Sequence, residues 1–154
     1  MSGWREAVEA HDLDALKAAL ASDAKLRSPI TMRIPFEGRE RVVELMREIF
    51  GLIESVHVLR EVRQDDVQML EIETRLADYD MHMVQVVEHN AAGKVCQVTL
   101  FMRPLPGVAN LAAHIGPRLV RLRFGRVVAA LIAPPLYIAA WILKLTDRLS
   151  PRFV

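Results

Sequence analysis

VHVLREVRQDDVQMLEIETRLADYDMHMVQVVEHNAAGKVCQVTLFMR, residues 56–103, is the stretch that decides the fold. Val56, Val58, Arg60 and Val62 alternate with His57, Leu59, Glu61 and Arg63. After Asp65-Asp66, Leu70, Ile72, Thr74 and Leu76 alternate with Met69, Glu71, Glu73 and Arg75. After Asp78-Tyr79-Asp80, Met81, Met83, Gln85 and Val87 alternate with His82, Val84, Val86 and Glu88. Asn90-Ala91-Ala92-Gly93 then leads into Lys94 to Arg103. Successive strand residues point to opposite faces, so this period of two predicts four strands. The short polar joints carry turn chemistry, because Asp and Asn side chains bond their own backbone. The whole reads as an antiparallel meander.

Upstream of the meander the period lengthens. Val42, Leu45, Met46, Ile49, Phe50 and Ile53 recur at steps of three and four after Gly38, with Arg39, Arg41, Glu44, Arg47 and Glu48 on the other face. That is a one-sided amphipathic helix. Two short helices are expected before it, over Trp4 to Ala10 and over Leu13 to Leu20, the second capped by Asp12. Leu26 to Phe36, punctuated by Pro29 and Pro35, reads as β-leaning or irregular. Helices first and strands after give an α+β class, with a curved antiparallel sheet wrapped on N-terminal helices. A chain of 154 residues with 52% hydrophobic and 25% charged residues has a core and is not disordered. The lone Cys96 excludes an intrachain disulfide and a cysteine zinc finger. Met1 to Glu9 has no apolar run of the secretory type, so the expected location is the cytoplasm.

Within residues 1–115, several short pieces occur in a telling order. They are Asp12-Leu13-Asp14, Asp23-Ala24-Lys25-Leu26-Arg27-Ser28-Pro29-Ile30, Glu37-Gly38-Arg39-Glu40-Arg41-Val42 and Asn90-Ala91-Ala92-Gly93-Lys94-Val95. In this order the chain resembles the nuclear transport factor 2-like superfamily, in its SnoaL-like and ketosteroid-isomerase-like branch. The resemblance implies a cystatin-like α+β cone with a pocket at its open end, and commonly a homodimer. It also implies where catalysis would sit. Isomerases of this branch use a carboxylate followed by Pro as base, with a Tyr and a protonated Asp stabilising the oxyanion. The matching positions here are Ser28, Trp4 and Gln85. A serine hydroxyl has no pKa near neutrality, the indole has no hydroxyl, and the Gln amide is neutral. The resemblance therefore implies the cone without the isomerase chemistry.

The strand faces expected inside the cone carry Leu70, Ile72, Thr74, Met81, Met83, Gln85, Val87, Cys96, Val98, Leu100 and Met102. With Trp4, Ser28 and Phe50 these frame a candidate pocket for an apolar small molecule or lipid, oriented by Gln85, Thr74 and Ser28. A filled, methionine-plugged core fits the same residues. The alternatives to a binder are an isomerase, cyclase or dehydratase acting on a polycyclic or lipid-like ketone, with Glu37 or Asp23 as base, and a dimerisation scaffold. His11, His57, His82, His89 and His114 show no metal-ligand spacing, and no phosphate-binding Gly motif is present, so neither metal nor cofactor is expected.

The end of the chain has its own character. Residues 1–102 hold 12 Lys/Arg against 18 Asp/Glu, a net −6, while residues 103–154 hold 8 Lys/Arg against Asp147 alone, a net +7. Residues 116–154 are set apart as a helical C-terminal extension. Gly116-Pro117 is expected to stop a short helix over Val108 to Ile115. A basic amphipathic helix then carries Arg118, Arg121, Arg123 and Arg126 as far as Ala133, and Pro134-Pro135 is expected to break or kink it. Val127 to Leu143 runs 17 residues without a charge, with Tyr137, Trp141 and Lys144 in or after it. A straight span needs about 20. Basic residues beside apolar and aromatic ones fit attachment to an anionic membrane surface, which would make the protein a peripheral one. Packing on the cone or on a partner chain, and a true span, are the other arrangements. Nucleic acid is not expected, because the extension has few polar residues to read bases.

Overall fold

Asp12 sets the first helix boundary: its carboxylate accepts from the backbone N–H groups of Asp14 and Ala15 at 3.0 and 2.9 Å. The computed structural model describes residues 3–31, 36–76 and 78–149, with the backbone alone at 122–124 and 148. Helices α1 (Trp4–Glu9) and α2 (Leu13–Ala19) lead into strand β1 (Leu20–Arg27), then β2 (Phe36–Glu37) and helix α3 (Arg39–Phe50). Strands β3 (Ile53–Gln64), β4 (Val67–Leu76), β5 (Tyr79–His89) and β6 (Val95–Arg103) come next. Two long helices close the chain, α4 (Leu105–Phe124) and α5 (Arg126–Leu149).

The strands form one six-stranded sheet in the order β2-β1-β6-β5-β4-β3. The predicted meander is β3 to β6, antiparallel throughout. β1 joins its far side, parallel to β6 and antiparallel to β2. β1 lies mostly outside the stretch read as β-leaning, because Leu20, Ala21, Ala24 and Leu26 are buried without a clean period of two. The inner face of β4 and β5 obeys the alternation: Leu70, Ile72, Thr74, Leu76, Met81, Met83, Gln85 and Val87 are all buried. The apolar ones among them pack with Trp4, Leu16, Val42, Leu45 and Met46 in one core.

Two bulges correct the expected phase. In β3 the register shifts between Val58 and Arg60, so Leu59 is an extra residue. Beyond it Glu61 stands opposite inward-facing Leu70, while Val62 stands opposite outward-facing Met69 and is exposed. In β6 the register shifts beside His89, so Val95 rather than Cys96 enters the core. Cys96 is half-buried and its thiol donates to the Glu88 carbonyl. An unpaired strand residue reverses the phase of the rest of its strand, and alternation alone does not reveal it.

The C-terminal helices depart from expectation at their ends. α4 runs through Gly116 and Pro117 and stops at Gly125, whose φ of +86° favours glycine. Gly116 marks a close approach: a Cβ there would lie 3.1 Å from Leu136 Cδ1 of α5. α5 in turn continues through Pro134 and Pro135. Packing of α4 on α5, β5 and β6 overrides the weak local propensity to stop.

Candidate functional site

α1 is short, yet it places Trp4 at the base of the cone, 1% exposed. Its hold on the sheet comes partly from Glu61, which the β3 bulge turns inward. Glu61 Oε2 accepts from Arg5 Nη1 at 3.1 Å, and Oε1 accepts from Arg63 Nε at 2.7 Å and from buried Gln68 Nε2 at 2.9 Å. Arg63 first, then Arg5 and Gln68, hold this carboxyl below the usual carboxylate range, against the opposing effect of burial. A carboxylate with a depressed folded pKa stabilises above its unfolded value of about 4.3, and that stability is lost as pH falls through the folded value. Glu61→Gln is therefore expected to cost roughly 1 kcal/mol at pH 7, with the gap to wild type closing below about pH 4. Urea unfolding of both chains at pH 7 and pH 3 checks this; a gap that is constant with pH would remove the charge from the account.

Trp4 Nε1 donates to Gln85 Oε1 at 2.8 Å, and Gln85 Nε2 donates to Met83 Sδ at 3.5 Å. An indole is a donor only, so it fixes which end of the amide it meets. The Gln85 oxygen is turned to Trp4, and the NH2 group is turned toward Met83. A thioether is a weak acceptor, so this N–H can pass to a better acceptor on a ligand.

Above this pair lies a cavity of about 680 Å3. The sheet lines it with Met83, Gln85, Leu100 and Met102, α3 with Leu45, Met46, Ile49 and Phe50, and α4 with Leu111, Ile115 and Leu119. Ser28 to Thr31 form one edge, and Leu136 of α5 completes a wall. Arg41 and Glu44 are the charged groups among the described lining residues, and both side chains stand on exposed positions of α3. Ser28 Oγ accepts from the Ile30 N–H at 3.1 Å, which orders the edge. A cavity of this size suits a drug-sized apolar ligand.

The candidate pocket residues are thus divided. Trp4, Ser28, Phe50, Met83, Gln85, Leu100 and Met102 line the cavity. Leu70, Ile72 and Val98 are buried in the core and do not reach it. Thr74 donates to the Ser55 carbonyl at 2.8 Å and, with Met81, borders a separate hollow beside His57, His82 and Arg103. Asp23 and Glu37, the candidate bases, are exposed and are not among the cavity's lining residues. The contributions of α4 and Leu136 escape a reading of the sequence, because Gly116 signals the end of the helix there.

The C-terminal residues divide as well. Arg118 pairs with Glu48 of α3 at 3.1 Å, tying α4 to the body. Tyr137 meets His114 edge-on at 5.3 Å, and Lys144 lies 5.2 Å from the Tyr79 ring centre. Tyr79 donates to Asp147 at 2.6 Å. Arg121, Arg126 and Trp141 are exposed. The Arg123 side chain lies outside the described residues.

A bent sheet wrapped on helices around an end-opening cavity defines the nuclear transport factor 2-like class. Within it, this chain belongs to the SnoaL-like domain family, whose sequence profile matches residues 2–103. No curated protein matches the sequence. Solved structures that resemble it include a steroid delta-isomerase from Pseudomonas aeruginosa, with TM-score 0.69, 21% identity, and 77% of this chain and 88% of that one covered. A cystatin-like protein from Silicibacter pomeroyi gives TM-score 0.71 and 20% identity, covering 81% and 86%. A nuclear transport factor 2-like protein from Cytophaga hutchinsonii gives 0.56 and 15%, covering 65% and 83%. At these identities the likeness is one of fold.

Proposed function

We propose that this SnoaL-like domain binds an apolar small molecule or lipid in its cone, and that its C-terminal helix brings it to an anionic membrane surface. The observation that carries the first part is the apolar cavity of about 680 Å3, floored by the Trp4–Gln85 pair. The Gln85 amide would meet a carbonyl, ether or hydroxyl oxygen on a ligand that is otherwise apolar. The fold is shared with a steroid delta-isomerase, which supports a polycyclic or similarly bulky ligand. Ser28 and Gln85 supply no carboxylate to move a proton, so the reading is of binding without isomerase chemistry. The outer sheet face, with Met69 and Phe101 exposed, is the surface on which two copies would pair.

The test is titration with N-phenyl-1-naphthylamine, an apolar fluorescent probe. Wild type is expected to bind it, and Met83→Trp to weaken binding at least tenfold by filling the cavity. Circular dichroism melts control for unfolding. Unchanged affinity in the folded variant would place the probe elsewhere and overturn the reading.

A further inference from the structure

We infer that α5 lies in the plane of an anionic membrane surface, its outer face toward the lipid and its inner face still seated on α4, instead of crossing the bilayer. The inference rests on the membrane part of the proposed function and gives it a geometry. By length alone α5 could cross: 24 residues reach about 36 Å against a hydrocarbon thickness of about 30 Å. Three observations oppose a crossing.

First, the helix is two-faced. Val127, Leu131, Ile138, Trp141 and Leu145 recur at helical spacing and are all exposed, Leu131 at 73% and Trp141 at 64%. Ala129 and Ala140 are buried on the other side, and only 11% of the apolar stretch is buried overall. One face is turned out and the other is taken up by protein, so the outer face can meet lipid while α5 stays packed on α4.

Second, the seated face is tied from Leu136 to Asp147. Leu136 lines the cavity wall and meets Gly116, Tyr137 meets His114, and Asp147 accepts from Tyr79. A crossing would have to break all of these and open the cavity.

Third, Pro134 and Pro135 have no N–H, so the carbonyls of Ala130 and Leu131 lose their usual donors four residues on. Mid-bilayer those carbonyls would need donors from a neighbouring helix or from Ser/Thr side chains, and α5 has no Ser or Thr before Thr146. At the surface, water and headgroups supply them. Exposed Arg126 at the start of α5 and Arg121 near the end of α4 then meet anionic headgroups.

The experiment uses the full chain with Cys96→Ser and one cysteine at Val127, Ile138 or Leu145, labelled with nitrobenzoxadiazole. It is added to vesicles of phosphatidylcholine with 30% phosphatidylglycerol that carry lipids with a quencher at a shallow or deep chain position. Lying in plane predicts that all three sites are quenched about equally, and at least twofold more by the shallow lipid. Crossing predicts that Ile138 is quenched by the deep lipid while Val127 and Leu145 are not, which would overturn the inference and leave membrane attachment standing. Failure of the unlabelled wild-type chain to float with these vesicles would overturn attachment and the inference together. So would self-association that covers Trp141 without vesicle binding.

Discussion

Gln85→Leu is expected to destabilise the folded protein by about 1–3 kcal/mol, because it leaves the Trp4 indole N–H buried without an acceptor. Trp4→Phe should cost a similar amount, by stranding the Gln85 oxygen and trimming a fully buried side chain. The double variant should cost clearly less than the two single costs added together, since removing both partners leaves neither unsatisfied. Urea unfolding of the four chains measures the cycle; strict additivity would mean that the bond contributes nothing as a pair. The same leucine should act on recognition. A polycyclic ketone should lose about tenfold in affinity, the scale of one net hydrogen bond, while a hydrocarbon of the same shape should not. Equal losses for both would remove Gln85 from the recognition of oxygen.

Leu131→Asp combined with Trp141→Asp is expected to reduce binding to anionic vesicles at least a hundredfold. Burying a large apolar side chain is worth about 1.5–3 kcal/mol, and the variant removes two such contributions while adding two negative charges. Because both residues are exposed, the stability in solution should stay within about 0.5 kcal/mol of wild type. Flotation and urea titration read the two effects separately. Loss of vesicle binding together with a large loss of stability would instead mean that this face is packed within the folded protein. Neutralising Arg121 and Arg126 should act more weakly, and mostly at low salt.

Most of the sheet was legible because its residues obey one rule over long runs. From Leu70 to Val87, every residue placed inward by alternation and described in the structure is buried. The rule fails where the backbone gains a residue, at Leu59 and at Cys96, since a bulge needs no residue type that marks it. The cavity was legible in part. Trp4, Ser28 and Gln85 follow from a resemblance; all three line the cavity, and the Trp4 side chain reaches from α1 to Gln85 of β5. The Trp4–Gln85 hydrogen bond joins residues 81 positions apart, a separation that no local pattern carries. The extent of the long helices is not legible, because Gly116, Pro117, Pro134 and Pro135 are local stop signals. Packing between α4 and α5, visible only in three dimensions, outweighs them.

The extra residue at Leu59 has a reach that its position on an outer strand hides. β3 is the last strand of the sheet, where insertions and deletions are most easily tolerated. Here the residue count decides whether Glu61 faces Arg5; Arg5 sits beside Trp4, and Trp4 orients the amide that a ligand would meet. A chain shortened by that single residue would keep every cavity-lining residue and yet lose the Arg5–Glu61 pair beside the tryptophan that holds the amide. On the binding proposed above, a frame-preserving indel at the rim of the sheet would thus act on the cavity without touching a lining residue. Comparing SnoaL-like sequences only at their pocket positions would miss such a change.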